Sequence, residues 1–510
     1  MFVSNFSFAN NLNIGSTSFN ASNKTISFTI SWDNSWRVTT GPSNWDAVWI
    51  FVKRQACSTT NIWASSLLST TSADHTTSIG SGTNLLTVDA TSDGMGVFIR
   101  RAALTTATGS IGTHTITLKL NASSTTNPTI ITGDNDNFKV MGLEMVYVPQ
   151  GSFYLGDGRA TNSGNFSAGS VANTALLIDA AKQNAGLGIA TVYTSSFSNG
   201  APSALPASFP LGYNGFYCMK YELGVSAYLE FINSLNYDQQ AHKLTKWSTT
   251  AFPNILNAEI TRSGAVSIKV SVPGTFNTIP ATFIQNVNSY YRPIHELNWQ
   301  DLASYLDWSG LRPMTEFEFE KACRGNNAGT PNTPVANEYP WGSTQITSAQ
   351  SSGNLGAINE LIYVAGNNGV CQYSYNDPTT HSPMRSGSPA TATSNRVQAG
   401  ATYYGIMEMG GNVWEQCVGG GNGYNYSSFT SINGDGSLTN LGLANVTGWP
   451  TSGGSSGGTI LRGGGYNSGV TNYVQVSDRT FLAGSSLNSE VFNTNGTNQV
   501  GGRGVRTMSY

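Results

Sequence analysis

A run of three glycines at residues 463–465, preceded by Arg462, constrains the fold of this chain more than any other short segment. Glycine runs occur where the backbone takes a positive φ angle or approaches another group closely, so this run predicts a tight turn. A phosphate-binding loop would need a Lys-Ser or Lys-Thr pair after the glycines and a helix behind them. Tyr, Asn and Ser follow instead at residues 466–468. The run is therefore interpreted as a turn within a scaffold.

The composition excludes several classes of protein. Charged residues make up 10% of the 510 residues and the net charge is −3, so no basic surface for nucleic acid is expected. The chain has no run of about 18 apolar residues, which argues against a membrane-spanning helix. The first cationic residue is Lys24, so no secretory signal peptide is seen in this chain. Hydrophobic residues at 39% predict a folded chain rather than a disordered one.

The cysteines and histidines form no familiar disulfide or metal pattern. The cysteines are widely spaced: Cys57, Cys218, Cys323, Cys371 and Cys417. An odd number without a C-x-x-C pair favours free, buried thiols. The five histidines are equally scattered, and none belongs to an H-E-x-x-H pattern.

The first part of the chain has the pattern of β-strands. Apolar or alternating segments of strand length lie between turns rich in Asn, Gly and Ser, at residues 22–32, 46–55, 94–104 and 112–122. A chain this long is expected to contain more than one domain. We therefore predict an all-β sandwich for residues 1–138, ending in a polar linker.

Residues 139–510 have a different pattern, which predicts an α+β domain with long loops. Two strands around a glycine turn are expected at 145–158, and an inserted loop rich in Ser, Asn and Gly at 159–205. Three predicted helices follow at 225–235, 298–310 and 315–325. Beyond the last of them the chain lacks helical periodicity.

The helix predicted at 315–325 has both of its ends marked in the sequence. Thr315 and Glu318 form a capping box, and a glycine at 325 ends the helix. Glu316 and Glu320 lie near the positive end of the helix dipole. These carboxylates are interpreted as helix-stabilising charges rather than as an acid–base pair, because the cap and the dipole already account for them.

Seven segments occur in the order found in one known family. They are MVYVPQGSFYLGDG (145–158), FYCMKYELGVSAYLEFINSL (216–235), IHELNWQDLASYLDWSGLRPMTEFEFEKACRG (294–325), YPWGS (339–343), YYGIMEMGGNVWEQ (403–416), ILRGGGYN (460–467) and GGRGVR (501–506). Over residues 141–510 the chain resembles the formylglycine-generating enzyme, or sulfatase-modifying factor, family. The resemblance implies a C-type lectin-like fold with short helices, little regular sheet and long loops.

The resemblance also implies a catalytic site whose ligands this chain lacks. In catalytic members, the segment after the Arg-Gly-Gly turn carries two cysteines that bind copper and activate oxygen. Those positions fall at Ser468 and at Asn472 or Tyr473, and no cysteine follows Cys417. A neutral hydroxyl is a poor ligand for Cu(I), which prefers thiolates. The His cluster that would hold iron in the related sulfoxide synthases is missing as well. We therefore expect no bound copper and no enzyme activity.

Residues 403–416 resemble a structural calcium loop of the family. By this resemblance the ligands are Glu408, the carbonyl groups of Gly411 and Val413, and the carboxylate of Glu415. All are oxygen atoms, as Ca²⁺ requires, although Glu408 replaces the usual Asp or Asn. In the alternative interpretation no ion binds, and Glu415 pairs with an arginine such as Arg462 or Arg506. Asn354 is the only candidate ligand for the family's second calcium site.

Without the cysteines, the substrate groove of the enzymes becomes a surface for contact with a partner. The candidate contact residues are Tyr466, Asn467, Ser468, Asn472, Tyr473, Gln475, Asp478 and Arg479. A polar loop at 485–499 follows them. Tyr, Asn, Ser and Gly are typical of adaptable binding loops, and in retroelement-diversified phage and bacterial proteins this fold varies in the same segment. The alternative is that these residues are ordinary surface loops of a structural protein.

Three functional hypotheses follow from the sequence. The first is a non-catalytic binding or structural protein of an extracellular surface, a phage or an injection-type particle. It would contact a protein or glycan partner through the lectin-like domain, as a homo-oligomer or part of a larger assembly. The second is a formylglycine-generating or related oxidase with an unfamiliar metal arrangement. The third is an assembly subunit of a filament or shell.

Overall fold

The structure, a computed structural model, is mostly β with few helices. It describes residues 11–56, 62–105, 108–121, 136–159, 165–169, 173–188, 204–247, 260–263, 282–285, 291–327, 330–354, 356–364, 366, 368–374, 383–391, 393–419, 428–453, 458–480 and 499–508. The strands of the N-terminal part are β1 (Asn13–Asn20), β2 (Thr25–Ser31), β3 (Asp46–Gln55), β4 (Trp63–Ser65), β5 (Thr76–Ile79), β6 (Leu86–Ala90), β7 (Val97–Arg101) and β8 (His114–Lys119). They agree with the all-β prediction for this region.

The rest of the described chain adds short strands and all of the helices. The strands are β9 (Asn137–Val148), β10 (Phe153–Leu155), β11 (Leu176–Ile178), β12 (Phe216–Met219), β13 (Ile260–Ser263), β14 (Thr282–Gln285), β15 (Arg312–Pro313), β16 (Asn326–Asn327), β17 (Thr330–Pro331), β18 (Thr347–Gly353), β19 (Leu361–Val364), β20 (Val370–Cys371), β21 (Trp414–Val418), β22 (Thr459–Arg462), β23 (Val500–Gly501) and β24 (Gly504–Thr507). The helices are α1 (Ala180–Ala185), α2 (Val225–Ser234), α3 (Tyr237–Trp247), α4 (Trp299–Trp308) and α5 (Glu316–Arg324).

One large sheet joins the first and last parts of the chain. Its strand order is β15-β24-β12-β9-β3-β7-β6, with β4 paired to β3. β9 pairs with β3 on one side and with β12 on the other, antiparallel in both cases. The boundary predicted at residue 138 falls inside β9. N-terminal strands such as β3 therefore belong to the same hydrogen-bonded sheet as β24, which lies more than three hundred residues further along the chain.

The central strand β3 is buried on both faces, and its side chains enter two different cores. Val48, Ile50 and Val52 pack with the second sheet, which has the order β1-β2-β8-β5. Trp49 and Phe51 pack on the opposite face with α2 and α4. Successive strand residues point to opposite faces of a sheet, so the alternation follows directly from strand geometry. The sandwich predicted for the N-terminal part is thus covered on its other face by helices of the C-terminal part.

The helices begin and end where their capping residues predict. Asn298 caps α4 through a hydrogen bond from the Asp301 amide, at 2.8 Å. Thr315 and Glu318 form both hydrogen bonds of the capping box on α5, and Gly325 follows that helix with a φ of 77°. Helix α3 was not predicted from the sequence, nor was the short α1. Their sequences contain too few apolar residues at helical spacing to stand out.

The segment predicted as an inserted loop, 159–205, contains some regular structure. Within its described residues, β11 pairs antiparallel with β10, and α1 follows β11. Asp179 caps α1 by accepting a hydrogen bond from the Lys182 amide at 2.9 Å.

The structure also bears on the expectations about membrane-spanning helices and about the cysteines. Among the described helices, none is both long enough and apolar enough to cross a membrane. The cysteines that the structure describes, Cys218, Cys323, Cys371 and Cys417, are buried and free, as their spacing predicted. Cys57 lies outside the described residues.

Candidate functional site

The glycine run forms a tight turn directly after β22. Gly463 and Gly464 have φ angles of 85° and 77°, a region that disfavours residues with a Cβ. A Cβ on Gly464 would lie 3.1 Å from the Val474 side chain, and one on Gly465 would lie 2.6 Å from the Gln499 side chain. The turn is therefore structural, as its sequence predicted, and these three positions require glycine for conformational and packing reasons.

The turn is joined to the loop that contains the predicted calcium ligands. The Gly411 amide donates to the carbonyl of Gly463 at 2.8 Å, and the Tyr466 amide donates to the carbonyl of Asn412 at 2.7 Å. Two of the sequence segments that carried the family resemblance thus lie side by side. Together they form the candidate functional site.

By the family resemblance, Ser468 aligns with one of the two positions where catalytic members carry a copper-binding cysteine. Its hydroxyl accepts a hydrogen bond from the Gly465 amide at 2.7 Å, and its own amide donates to the Gly465 carbonyl at 3.1 Å. The side chain is thereby used to close the turn. Neither it nor Asn472 offers the soft thiolate that Cu(I) requires, so the residues present do not fit copper.

Half of the predicted contact residues reach the protein surface. Asn467 and Asn472 are exposed, and Ser468 and Tyr473 are half-buried. The Tyr473 ring packs against Trp414 with their ring centroids 5.4 Å apart. The polar loop predicted at 485–499 lies outside the described residues except for its last member. The exposed surface is therefore a small patch, which we call the turn patch and define as Asn467, Ser468, Asn472 and Tyr473.

The other four predicted contact residues are buried, which corrects the expectation that they are displayed. Tyr466 is 1% exposed and lies beside His295, with their ring centroids 6.0 Å apart. Arg479 is also 1% exposed, and its guanidinium donates to both carboxylate oxygens of Glu316, at 2.6 and 2.9 Å. The Phe166 ring covers it at 3.9 Å.

Gln475 and Asp478 are buried because both face a buried arginine. Arg159 donates to the Gln475 side-chain carbonyl, and its guanidinium lies 3.7 Å from a carboxylate oxygen of Asp478. A buried charge needs partners of this kind, since an isolated one is expensive to remove from water. The polar character of these two residues therefore indicates an interior network rather than a binding surface.

Below the turn, Arg462 is the centre of a buried ion-pair network. Its guanidinium donates to Glu316 at 3.0 Å, to Glu320 at 2.8 Å and to the carbonyl of Val476 at 2.6 Å. Arg324 pairs with Glu320 as well, at 3.2 Å. The glutamates that the sequence assigned to helix stabilisation therefore also neutralise arginines from the end of the chain.

The arginines around Glu320 lower its pKa. Burial alone would raise the pKa of Glu320, but the nearby guanidinium groups of Arg462 and Arg324 hold the pKa below its ordinary value. A carboxylate that stays ionised and fully paired cannot serve as a proton donor near neutral pH. The network is therefore structural, in agreement with the interpretation that α5 carries no acid–base pair.

The loop with the predicted calcium ligands has an unusual backbone. Glu408 and Asn412 have φ angles of 52° and 65°, although neither is glycine. Such conformations persist only where the surroundings enforce them, and they are frequent at ligand sites. Glu222 is one of the enforcing groups, since its carboxylate accepts hydrogen bonds from the Asn412 side chain at 2.6 Å and from the Val413 amide at 2.9 Å.

Glu415 does pair with an arginine, but with Arg503 rather than Arg462 or Arg506. One carboxylate oxygen of Glu415 lies 2.6 Å from the Arg503 guanidinium. The same guanidinium donates to backbone carbonyls, at distances from 2.9 to 3.3 Å. Arg506 instead pairs with Asp93 and donates to the carbonyl of Gly310, so both arginines of the GGRGVR segment have partners within the fold.

Two carboxylate oxygens of this loop are buried without a hydrogen bond. They are Oε2 of Glu408 and Oε2 of Glu415, and neither has a partner among the described residues. The other oxygen of Glu408 accepts from the Gly387 amide at 2.5 Å. Buried unpaired oxygens of this kind fit a hard cation such as Ca²⁺, which takes carboxylate and carbonyl ligands. Nowhere in the described chain, this loop included, do three His, Cys, Asp or Glu side chains converge as a metal cluster, so an ion here would take backbone carbonyl groups besides the two carboxylates.

The carboxyl groups of the loop also carry an uncompensated cost of burial, which a bound cation would reduce. Burial raises the pKa of Glu408 to about 7, against the lowering effect of the Gly387 hydrogen bond. Burial also raises the pKa of Glu415, and the ion pair with Arg503 opposes this shift. Glu222 lies close to Glu408 and Glu415, and the guanidinium groups that act on these three carboxyl groups are those of Arg503 and Arg385.

Asn354, the candidate ligand of a second calcium site, has fewer features of a metal ligand than Glu408 and Glu415. Asn354 has a φ of 55° and is exposed, and its side-chain amide donates weakly to the carbonyl of Asn359 at 3.4 Å. No group of three or more His, Cys, Asp and Glu side chains that could hold a metal is found among the described residues around it. Its assignment as a ligand stays a prediction.

The described thiols are also unsuited to oxidative chemistry. Burial raises the pKa of Cys218 to about 12, and it raises the pKa values of Cys323 and Cys417 well above their ordinary range. The thiolate is the form that binds metals and attacks oxidants. These cysteines are therefore inert core residues.

Comparison with known proteins gives one extended match. The profile of the FGE-sulfatase family, described as the sulfatase-modifying factor enzyme 1-like domain, matches residues 133–491. That region contains all five helices, the loop at residues 403–416 with the predicted calcium ligands (the calcium-type loop) and the glycine turn. It begins just before β9.

Individual relatives match shorter segments. A formylglycine-generating enzyme of Thermomonospora curvata is 26% identical over 150 residues, which cover 29% of this chain and 41% of that protein. The mouse (Mus musculus) formylglycine-generating enzyme is 24% identical over 211 residues, covering 40% of this chain and 48% of the relative. A hercynine oxygenase of Mycolicibacterium smegmatis is 29% identical over 123 residues, covering 24% and 21% of the two chains. The chain thus spans less than half the length of these curated relatives.

Among solved structures, a protein called Major Tropism Determinant U1 Variant aligns over 86% of this chain and 85% of its own. The sequence identity is 13% and the TM-score is 0.21. A score this low supports no inference about shared fold or role.

Proposed function

Because the chain belongs to the family of sulfatase-modifying factor enzyme 1-like domains, we propose that it keeps the scaffold of that family without its oxidase chemistry. In this proposal it is a non-catalytic binding or structural protein. The main support for the proposal is Ser468, which the family resemblance aligns with a copper-ligand position and whose hydroxyl closes the glycine turn. The low charge and many small polar residues favour an extracellular surface, a phage or another particle as its location.

The turn patch is the proposed contact surface. Asn467 and Asn472 are exposed amides that can both donate and accept hydrogen bonds. Tyr473 adds aromatic area that is held in place by Trp414. A rigid aromatic residue flanked by adaptable polar groups is typical of protein-binding loops. The partner in this proposal is a protein or glycan of a surface, and the protein acts as part of a larger assembly.

We expect no conversion of cysteine to formylglycine by this chain. A sulfatase-type peptide incubated with the protein, Cu(I) and oxygen should keep its mass, because no thiolate pair is present after Cys417 to hold the metal. Mass spectrometry of the peptide is the measurement. A formylglycine-generating enzyme under the same conditions is the positive control. If the peptide were converted to an aldehyde, the chain would be an enzyme and the non-catalytic proposal would be wrong.

Replacing Asn472 with alanine should weaken partner binding while leaving stability almost unchanged. Its side chain is exposed, so the free energy of unfolding should change by about 0.5 kcal/mol or less. A contact residue near the centre of an interface should cost about 2 kcal/mol of binding free energy. The measurements are thermal unfolding and binding to the component that co-purifies with the native protein.

Thr333→Ala is the matched control for Asn472→Ala, since Thr333 is exposed at a position outside the turn patch. It should affect neither property. If both variants bind the partner like the unmodified protein, the turn patch is an ordinary surface. The contact would then lie elsewhere on the chain.

We further propose that the calcium-type loop binds Ca²⁺. The unpaired oxygens of Glu408 and Glu415 would be ligands, together with the carbonyl groups of Gly411 and Val413. The ion would neutralise carboxylates that Arg503 alone does not balance. Its contribution in this proposal is structural, since it would hold the loop to which the glycine turn is bonded.

Removing calcium should therefore lower stability. A bound ion adds about 2.7 kcal/mol at a hundredfold excess over its dissociation constant. Thermal unfolding with calcium and with a chelator measures this difference. Glu408→Gln should abolish the calcium dependence while leaving the Glu415–Arg503 ion pair in place. An unchanged melting temperature in chelator would assign Glu415 to the ion pair alone.

A further inference from the structure

A cleft separate from the turn patch lies between the two parts of the chain. It has a volume of about 530 Å³ and lies between β4, the start of α3, the end of α4 and the segment 432–438. Small-molecule sites usually have volumes of about 300 to 1,000 Å³ and form where different parts of a protein meet. The cleft is therefore large enough for an organic ligand.

One residue that lines the cleft, Trp308, contains a buried hydrogen-bond donor without an acceptor among the described residues. Trp308 is 4% exposed and lines the cleft, and its indole Nε1–H has no partner among the described residues. A buried indole N–H nearly always finds a partner, because leaving it unpaired costs about 1 to 3 kcal/mol. The Trp308 ring itself is fixed by Phe51, Phe231 and the Lys53 ammonium group. A ligand oxygen would supply the missing acceptor.

The wall and rim of the cleft combine apolar and polar groups. Trp63 is a half-buried indole in the wall, and Ile62 and Ile432 are 51% and 55% exposed beside it. Asp435 is exposed on the opposite side, where one of its carboxylate oxygens accepts from the Ser437 hydroxyl at 2.6 Å. A ligand here meets an apolar face and a hydrogen-bond acceptor at the same time.

The charged residues that line the cleft are acidic, while two ammonium groups lie against its indoles: Lys53 is 4.6 Å from the centroid of the Trp308 ring, and Lys139 is 4.8 Å from that of the Trp63 ring. None of its lining residues is Lys, Arg or His, and the two acidic ones are Asp93 and Asp435. The charge of Asp93 is already compensated by Arg506. A purely apolar ligand would leave the Trp308 donor unpaired.

We propose that this cleft binds a neutral saccharide of one or two rings. The C–H face of a sugar ring would pack against Trp63 and the isoleucines, its hydroxyl oxygens would accept from Trp308, and its hydroxyl protons would be donated to Asp435. The ligand class follows from the pairing of an apolar wall with the Trp308 donor and the Asp435 acceptor, and from the lack of a cation among the lining residues. The cleft shares no residue with the turn patch, so the inference does not depend on the function proposed above.

The test uses the full chain and four neutral disaccharides: maltose, cellobiose, lactose and N,N′-diacetylchitobiose. Saturation-transfer NMR detects binding, and calorimetry gives the dissociation constant of any disaccharide that binds. Ser437→Phe places a ring at the exposed rim and should abolish binding. Thr333→Phe adds the same ring at an exposed site outside the cleft and should leave binding unchanged.

Trp308→Phe tests the orphan donor itself. It keeps an aromatic ring in the core but removes the N–H group, so it should weaken saccharide binding about threefold to tenfold. Thermal unfolding shows whether each variant is folded. The proposal is overturned if none of the four disaccharides binds, or if binding survives Ser437→Phe in a folded protein. It is also overturned if a sulfated disaccharide binds more tightly than the neutral ones.

Discussion

Replacing Arg462 with methionine should destabilise the protein by about 3–5 kcal/mol, the usual cost of removing one partner from a buried ion pair. Arg462 lies between Glu316 and Glu320 and is completely buried. Methionine fills a similar volume but donates no hydrogen bond. Two buried carboxylates would lose their shared cation, and the carbonyl of Val476 would lose its donor.

The free energy of unfolding, measured in urea at neutral pH, tests this prediction. Lys182→Met is the matched control, since it also removes a cation from an ion pair, but the pair with Asp179 is partly exposed. Its expected loss is about 1 kcal/mol or less. If Arg462→Met costs no more than this control, the glutamates are protonated or hydrated rather than held by the arginine.

A double variant separates the ion pair from the packing of Arg462. Glu316→Gln combined with Arg462→Met should be more stable than the sum of the two single losses predicts, because each single change leaves an unbalanced charge. Glu316 also binds Arg479, so the recovery should be partial. Additive losses would mean that the pair is not coupled.

The elements predicted well from the sequence are those specified by neighbouring residues. β3 was predicted with the bounds it has in the structure, and the caps at Asn298 and Thr315 were found because a cap needs only three or four consecutive positions. The turn at 463–465 was found for the same reason, since positive φ angles favour glycine wherever the turn lies.

The burial of the polar residues after the turn could not be predicted in this way. Arg479 and Glu316 are 163 positions apart, and the sequence contains no signal that joins them. Polar residues are usually exposed, so assigning Gln475 and Asp478 to the surface was the reasonable expectation. The low charge content of the chain was the available clue, because few charged residues in a large protein are more readily all paired.

The family resemblance located the candidate site in the sequence, but the arginine that pairs with Glu415 could be identified only from the structure. The resemblance identified the loop that contains Glu408 and Glu415. Arg462 and Arg506 were the examples of partners suggested by the sequence, whereas the parallel pairing of β21 with β23 brings Arg503, which follows β23, to Glu415. The saccharide cleft had no sequence signal at all, because Trp63 and Trp308 lie far apart along the chain.

The continuity of the central sheet was partly visible in the sequence. Residues 46–55 read DAVWIFVKRQ, an apolar run rather than an alternation. Such a run indicates a strand covered on both faces. A sandwich of the N-terminal part alone would bury only one face of β3. The second covering layer, α2 and α4, comes from residues beyond 220.

Replacing Trp49 with alanine should therefore destabilise both parts of the chain together, by about 3–5 kcal/mol. Trp49 is fully buried in the core shared with α2 and α4, and its indole donates to the carbonyl of Ser309 at 2.9 Å. The Arg506 guanidinium lies 4.2 Å from its ring. Hydrogen exchange in denaturant, followed separately for β8 and α2, should show equal losses of protection.

Phe28→Ala distinguishes one cooperative unit from two independent domains. Phe28 is buried between the two N-terminal sheets and belongs to a core made of residues 12–140. Since β3 links that core to the helices, the loss caused by Phe28→Ala should also appear in α2. If β8 loses protection in this variant while α2 keeps it, the N-terminal sandwich unfolds by itself. The boundary near residue 138 would then be a true domain boundary, although β9 runs across it.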